Sequence, residues 1–126
     1  MKTCIVADEA PIICKVATRI LDGHAFEARC AESAVALEAE LARAMPDLLI
    51  IAERLGEADG IAMVRRVREM PGGKMPTILL CASENGIALR SKVRRSGANG
   101  LLLKPFTRET LEAELIRLGL TRAQAA

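Results

Sequence analysis

Five short apolar runs alternate with amphipathic stretches along the sequence, and this alternation limits the folds that the chain can adopt. The runs cover residues 3–7, 26–30, 48–52, 77–82 and 101–103, and the second of them is more polar, as an edge strand tends to be. In the stretches that follow them, apolar residues recur every three or four positions, as they do on the buried face of a helix. Strands that alternate with such helices form a parallel sheet covered by helices on both faces. The sequence therefore predicts an α/β, doubly wound (βα)5 domain.

Turn and capping residues mark the ends of the predicted helices. Proline suits a first helical turn, glycine suits the position after a last turn, and Asp or Thr suits the cap before a helix. These rules place helices over residues 11–21, 33–44 and 85–96, a third helix between Asp59 and Pro71, and a last one between Thr107 and Gly119. We expect one domain over residues 1–120 and a frayed tail over residues 121–126.

Charge and hydropathy exclude two classes of partner. Eighteen basic and sixteen acidic residues give a formal net charge of +2, whereas nucleic-acid binding usually needs a strong basic excess. No apolar run approaches the roughly 18 residues that span a bilayer, and the amino terminus lacks the organisation of a signal peptide. We expect a cytoplasmic protein that binds neither nucleic acid nor membrane.

The cysteine and histidine content gives no sign of a metal centre. The cysteines form no CxxC pair, and one histidine, His24, follows a glycine in a predicted turn. We expect reduced thiols that act as small buried apolar side chains, and a histidine at the surface. The four cysteines are Cys4, Cys14, Cys30 and Cys81.

Charged residues follow two of the predicted strands. Asp8 and Glu9 follow the first strand, and Lys104 follows the fifth. Ligands of such folds bind at the carboxyl ends of the strands, and carboxylate oxygens suit Mg²⁺. Two interpretations stay open: a weak magnesium site, or internal neutralisation of the carboxylates by Lys104, alone or with Arg54. We expect no other cofactor.

Five motifs, taken in order, resemble the response-regulator receiver domain. They are ADEAP at 7–11, PDLLII at 46–51, ADG at 58–60, GANG at 97–100 and KPF at 104–106. Each motif is weak alone, but the ordered set covers nearly the whole chain. The resemblance implies a CheY-like strand order of 2-1-3-4-5. It also implies magnesium at the acidic pair, a phosphoryl group on an aspartate that ends the third strand, and a lysine that contacts that group.

The sequence departs from the family pattern at the positions that carry the chemistry. The acceptor position falls on Ala52, the Ser/Thr switch position on Cys81 and the aromatic switch position on Leu101, while Lys104 is retained. A methyl group cannot form an acyl phosphate, so we predict a pseudo-receiver that is not an enzyme. Two alternatives are an acceptor-knockout variant of an ordinary response regulator and phosphorylation at another residue. Glu53 is next to Ala52 but is expected to point to the opposite face.

The fourth predicted helix carries a basic strip in the region that serves the family as an output face. The interpretation as a solvated helix face stays open. A kinase or phosphotransfer protein is the expected partner, and a homodimer through the fourth and fifth helices is a further possibility. A flavodoxin-like small-molecule binder is disfavoured because the first loop is acidic and no GxGxxG occurs. The strip consists of Arg90, Lys92, Arg94 and Arg95.

Overall fold

The computed structural model describes residues 1–83 and 86–122, which contain seven strands and five helices. The strands are β1 (Lys2–Ala7), β2 (Phe26–Ala31), β3 (Leu48–Ala52), β4 (Arg54–Leu55), β5 (Ala58–Asp59), β6 (Thr77–Ala82) and β7 (Gly100–Leu103). The helices are α1 (Pro11–Asp22), α2 (Ala34–Arg43), α3 (Gly60–Glu69), α4 (Ile87–Ser96) and α5 (Arg108–Arg117).

The five longer strands form one parallel sheet in the order β2-β1-β3-β6-β7. Counted without the two short strands, this is the predicted order 2-1-3-4-5, so the predicted fold class is confirmed. β3 and β6 have the predicted bounds. The predicted start of the fourth helix at Asn85 and the end of the predicted tail, 123–126, lie outside the described residues.

Alternating side chains of the central strands build a core on each face of the sheet. On β1, Ile5 and Ala7 face the layer of α2, α3 and α4, whereas Cys4 and Val6 face the layer of α1 and α5. β3 is buried at all five positions, as a strand covered on both faces must be. The predicted layers of helices on both faces are therefore present.

Capping side chains begin three of the helices. Asp59 Oδ1 accepts a hydrogen bond from the Ile61 amide at 2.9 Å, and Ser33 Oγ accepts one from the Ala36 amide at 3.0 Å. Thr107 and Thr110 bond reciprocally to each other's backbone amide in a capping box. The predicted caps at Asp59 and Thr107 are confirmed.

A short antiparallel hairpin, which the sequence did not predict, joins β3 to α3. It consists of β4 and β5 and turns at Gly56, whose φ is 64°. The receiver domains that the sequence resembles often have proline here, but a proline ring fixes φ near −65°, so proline cannot form this turn. At the end of the hairpin, the Gly60 amide donates to the Glu53 carbonyl at 2.8 Å. A Cβ at Gly60 would lie 2.1 Å from the Ala52 carbonyl oxygen, so only glycine fits there.

Helices of the described part of the chain are too short and too polar to cross a membrane.

Candidate functional site

The carboxyl ends of the central strands bring the sequence-predicted site residues to one edge of the sheet. Asp8 follows β1, Ala52 ends β3 and lies opposite Cys81 of β6, and Lys104 follows β7. Backbone hydrogen bonds continue the sheet past the strand ends. The Asp8 amide donates to the Ala31 carbonyl at 3.0 Å, and the Lys104 amide donates to the Ala82 carbonyl at 2.8 Å. The main chain therefore holds this edge in place.

An ion pair between Asp8 and Lys104 is the main electrostatic feature of this edge. Lys104 Nζ lies 2.5 Å from Asp8 Oδ2, and the Asp8 side chain is only 4% exposed. The other carboxylate oxygen accepts a hydrogen bond from the Ala10 amide at 2.9 Å. Because a buried carboxylate needs a counter-charge, Lys104 makes the burial of Asp8 possible.

The second carboxylate takes no part in this pair. Glu9 is exposed, and neither Glu9 nor Arg54 forms an ion pair within residues 1–83 and 86–122. Lys104 alone therefore neutralises Asp8, which is one of the two interpretations that the sequence left open.

The side chains at this edge do not fit a resident magnesium ion. An ammonium group lies on the Asp8 oxygen that a cation would use, and Ala52 supplies a methyl group rather than a third oxygen. The described residues contain no cluster of three His, Cys, Asp or Glu side chains that could hold a metal. The donor set suits an internal ion pair better than a divalent cation, which keeps near-octahedral oxygen ligation.

The Cys81 thiol lies beside the ion pair and is chemically quiet. The side chain is 1% exposed, and burial raises the pKa of this thiol from 9.0 to about 12. The positive charge of Lys104 lowers that pKa, and the Asp8 carboxylate raises it further, but burial is the largest effect. At neutral pH Cys81 is therefore a protonated thiol, and reaction as a nucleophile requires the thiolate.

A groove between α4, β7 and α5 has a volume of about 340 Å³. Val93, Ala98 and Leu101 contribute apolar lining, and Arg90 and Arg94 line it from α4. The sequence-predicted strip is thus divided: Lys92 and Arg95 do not line the groove. Helical spacing explains the division, since residues four apart share a face and residues two apart do not.

The α5 side of the groove carries a charge pair. Arg117 donates through Nε and Nη2 to the carboxylate of Glu114, at 3.0 Å each, and through Nη2 to the Asn99 carbonyl at 3.2 Å. The hydrogen bonds to Glu114 are the largest cause of a raised pKa of Arg117, and the negative charge of Glu114 raises it as well. Because Glu114 is paired with Arg117, this charge pair adds no net charge to the groove, whereas Arg94 of α4 adds a positive charge.

Arg68 is a structurally important residue that the sequence reading missed. Arg65, Arg66 and Arg68 form a strip of cations on the third helix, which the sequence pattern alone favours as a solvated face. The Arg68 guanidinium, however, donates to the carbonyls of Gly73, Pro76 and Gly97 at 2.7–2.9 Å. It also donates to Asn99 Oδ1 at 3.0 Å, and the same oxygen accepts from the Ile78 amide at 2.7 Å. The interpretation as a solvated face is therefore wrong for Arg68. The asparagine of the GANG motif was the available signal.

The structure corrects the expectation for His24. The side chain is 8% exposed rather than at the surface, and its Nε2 lies 2.5 Å from Glu112 Oε2. Its other ring nitrogen lies 3.0 Å from the hydroxyl of Thr121. Contacts from α5 and the segment after it, distant in sequence, cover the turn that holds His24.

The structure also corrects the expectation of four reduced thiols. Cys14 of α1 and Cys30 of β2 form a disulfide bond, whereas Cys4 and Cys81 are free and buried. Cys30 is an exposed residue near the end of an edge strand, so it is not the small buried apolar side chain that the sequence suggested. Sequence spacing gave no signal, because sixteen residues separate the two cysteines.

Comparison with known proteins identifies the family. The family model described as the response regulator receiver domain matches residues 4–116. This chain belongs to that family. The predicted membership in two-component signalling is therefore confirmed at the level of the receiver domain.

Relatives and solved structures agree with the family. Over 114 residues the chain is 27% identical to adventurous-gliding motility protein Z of Myxococcus xanthus, and over 111 residues it is 28% identical to the transcriptional regulatory protein TrcR of Mycobacterium tuberculosis. The aligned segments cover 89% and 88% of this receiver domain but only 8% and 42% of those proteins. The crystal structure of the chemotaxis response regulator CheY4 of Vibrio cholerae superimposes with a TM-score of 0.88 at 25% identity, over 94% of this chain and 98% of that one.

Proposed function

We propose that this receiver domain is degenerate at its phosphorylation site and signals by binding partner proteins without being phosphorylated. The observation that carries the proposal is Ala52, which ends β3 at the carboxyl edge of the sheet and is 2% exposed. Ala52 lies opposite Cys81 in the β3–β6 register, on the edge where Asp8 and Lys104 meet. An alanine there offers no oxygen for phosphoryl transfer.

The charges around Ala52 support this proposal. In the family, the lysine after the last strand contacts the phosphoryl group, but here Lys104 is engaged by Asp8. Cys81 and Leu101, at the two switch positions, carry neither a hydroxyl group nor an aromatic ring. A domain with these side chains suits constitutive binding rather than a response to phosphorylation.

Covalent labelling tests the proposal. The protein is incubated with acetyl phosphate and magnesium, and its intact mass is recorded. We expect no added phosphoryl group, whereas an ordinary receiver domain under the same conditions gains one. The matched control is the Ala52→Asp variant, which regains an acceptor carboxylate. A phosphoryl group on the wild-type protein, at Glu53 or any other residue, would falsify the proposal.

A second measurement tests for a non-covalent response. Amide NMR spectra are recorded while magnesium and then beryllofluoride, a mimic of the acyl phosphate, are added. We expect no shifts in α4 on addition of beryllofluoride. Shifts confined to Asp8 and Glu9 on addition of magnesium would mean a residual weak metal site. Shifts that reach α4 would mean a working switch and would contradict the proposal.

We place the partner surface on the groove between α4, β7 and α5 and infer an acidic partner, such as the docking surface of a histidine kinase or phosphotransfer protein in the cytoplasm. The groove combines an apolar lining with Arg90 and Arg94, and complementary charge steers and orients such encounters. Receiver domains act with kinases and phosphotransfer proteins, which makes this partner class the first to test. A second copy of the chain is the other occupant that the same face admits.

Charge reversal at matched positions of α4 tests this surface. The probe is a synthetic acidic amphipathic peptide, followed by NMR titration. Arg94→Glu, inside the groove, is expected to weaken binding roughly tenfold because it reverses a charge at the interface. Lys92→Glu, on the other flank of the same helix, should have a much smaller effect. Equal effects would contradict the assignment, and light scattering shows whether a second copy of the chain occupies the face.

A further inference from the structure

The disulfide bond joins two elements at the edge of the fold. Cys14 lies on α1, and Cys30 lies on β2, which is an edge strand of the sheet. Their Cα atoms are 6.1 Å apart, a separation at which a disulfide forms without backbone movement. The bond can therefore be opened and closed while both elements keep their places.

The two sulfur atoms differ in access to solvent. Cys14 is 4% exposed, whereas Cys30 belongs to the exposed residues of β2. A thiolate from solution therefore reaches the sulfur of Cys30 before that of Cys14. Cys4 and Cys81 do not compete, because both thiols are buried and burial raises the pKa of each.

The surroundings of Cys30 suit release of a thiolate. Thr18 Oγ1 lies 3.6 Å from Cys30 Sγ, and because a disulfide sulfur carries no proton, the hydroxyl group is the donor. Lys15 and Arg19 of α1 line a shallow groove at the bond, together with Asp22 and Glu32. The two cations and two carboxylates balance, so the hydroxyl donor is the feature that stabilises a thiolate at Cys30 and makes it a better leaving group.

We propose that the Cys14–Cys30 bond is a thiol–disulfide exchange site, opened by a dithiol reductant of the thioredoxin type and closed by a disulfide oxidant such as oxidised glutathione. Disulfides that form in a reducing cytoplasm are usually redox-sensing rather than structural. A signalling role for the exchange rests on the proposed function, since a receiver that is not phosphorylated lacks its usual covalent input. The exchange chemistry itself does not depend on that function.

The exchange proceeds in two balanced steps. A thiolate of the reductant attacks Sγ of Cys30, the bond to Cys14 breaks, and Cys14 leaves and takes up a proton. The second thiol of the reductant then loses its proton and attacks the reductant sulfur that is bonded to Cys30. The bond to Cys30 breaks, and Cys30 leaves as a thiolate that takes up a proton. Two electrons and two protons pass from the reductant to the protein, and the reductant becomes a disulfide.

Alkylation of the folded protein tests the proposal. The protein is treated with dithiothreitol under native conditions and quenched with iodoacetamide, and the sites are located by peptide mass. We expect rapid labelling at Cys30, slower labelling at Cys14, none at Cys4 or Cys81, and recovery of the bond with oxidised glutathione. Labelling that requires denaturant would mean a structural disulfide. Labels at Cys14 and Cys30 before any reductant is added would mean that the bond does not form, and either result would overturn the proposal.

Two single variants test which sulfur is attacked. In Cys14→Ser, the exposed Cys30 remains and should form a mixed disulfide with oxidised glutathione. In Cys30→Ser, the buried Cys14 remains and should react at least roughly tenfold more slowly. Thr18→Val, which removes the hydroxyl donor, should slow exchange in the wild-type background. Equal rates in the two cysteine variants would overturn the assignment of Cys30 as the attacked sulfur.

The same samples separate failure of this inference from failure of the proposed function. The oxidised and reduced proteins are each incubated with acetyl phosphate and magnesium. A phosphoryl group on either form would contradict the proposed function and leave the exchange site intact. A bond that resists reduction in the native protein would contradict the exchange site and leave the proposed function intact.

Discussion

Asp8 and Lys104 show how one contact favours one of two interpretations of a sequence. The acidic pair and the lysine were equally compatible with a metal site and with an internal ion pair. The ion pair depends on where Lys104 Nζ lies, and the backbone holds this residue at the end of β7, where its amide donates to the Ala82 carbonyl. Motif spacing predicts which residues meet at the sheet edge but not which atoms touch.

Removing one partner of this ion pair should destabilise the fold. Lys104→Met leaves the Asp8 carboxylate buried without a counter-charge, which costs about 3 kcal/mol of the free energy of unfolding. The double variant Asp8→Asn/Lys104→Met should recover most of this loss, because the remaining amide is neutral. Urea denaturation measures both effects, with Lys92→Met as the matched control for an exposed lysine. A loss in Lys92→Met equal to that in Lys104→Met would contradict the argument.

The buried thiol of Cys81 predicts a pH dependence of stability. Its pKa is about 12 in the folded protein and 9.0 for an unperturbed thiol. Between these two values the folded state retains the thiol proton, whereas the unfolded state loses it. The stability that comes from the protonated thiol is therefore complete below pH 9 and is lost as the pH rises toward 12. Between these values it falls by about 1.4 kcal/mol per pH unit.

Comparison with Cys81→Ala isolates this contribution. The free energy of unfolding is measured from pH 8 to pH 11 for both proteins, since other groups titrate in the same range in each. We expect the wild-type protein to lose stability more steeply above pH 9. Parallel curves would mean that the Cys81 thiol ionises equally in the folded and unfolded states.

At the scale of the elements, periodicity and capping residues predicted the five long strands and the helices closely. The bounds of β3 and β6 agree with the prediction, because both strands are covered on both faces and read as unbroken apolar runs. The β4–β5 hairpin was missed, since two-residue strands have no periodicity to detect. Arg68 was missed for a different reason: three of its four partners are backbone carbonyls, which leave no trace in the sequence pattern, and only Asn99 contributes a side chain.

Arg68 should contribute more to the free energy of unfolding than its neighbours on α3. It ties the last turn of that helix to the segments before β6 and β7 through four hydrogen bonds. Lysine has no planar fork to reproduce them, so Arg68→Lys should lower the free energy of unfolding by about 2–3 kcal/mol. Arg66→Lys affects one exposed pair with Glu38 and should cost less than about 1 kcal/mol. Similar midpoints in chemical denaturation for the two variants would contradict this role.

At the scale of the whole molecule, the disulfide restrains the unfolded chain. The cross-link closes a segment with a sequence separation of 16, and a loop of this size stabilises a fold by about 3 kcal/mol. Addition of dithiothreitol should therefore lower the urea midpoint of the wild-type protein. The variant Cys14→Ser/Cys30→Ser should have the lower midpoint with or without reductant. A wild-type midpoint that does not respond to full reduction would contradict the prediction.

Contacts between residues distant in sequence are the part of the molecule that the sequence did not reveal. Asp59 and Thr107 cap helices through neighbours two or three residues away, and such local rules were sufficient. The contacts of Cys14 with Cys30 and of His24 with Glu112 join elements whose relative placement depends on the whole sheet. The groove between α4, β7 and α5 also could not be read from the sequence, nor could the division of the basic strip between its lining and the other flank of α4. Both depend on the final orientation of α4 and α5.

The hydrogen bond from Lys2 Nζ to the Leu120 carbonyl, at 3.1 Å, has a topological consequence. It places the start of β1 beside the segment that follows α5, at the amino edge of the sheet and away from Asp8 and Lys104. A short linker between Lys2 and Leu120 would therefore suffice for a circular permutant whose new ends are opened in the exposed loop at Gly72, since circular permutation succeeds at such sites. The order of the elements along the polypeptide is thus separable from their arrangement in space.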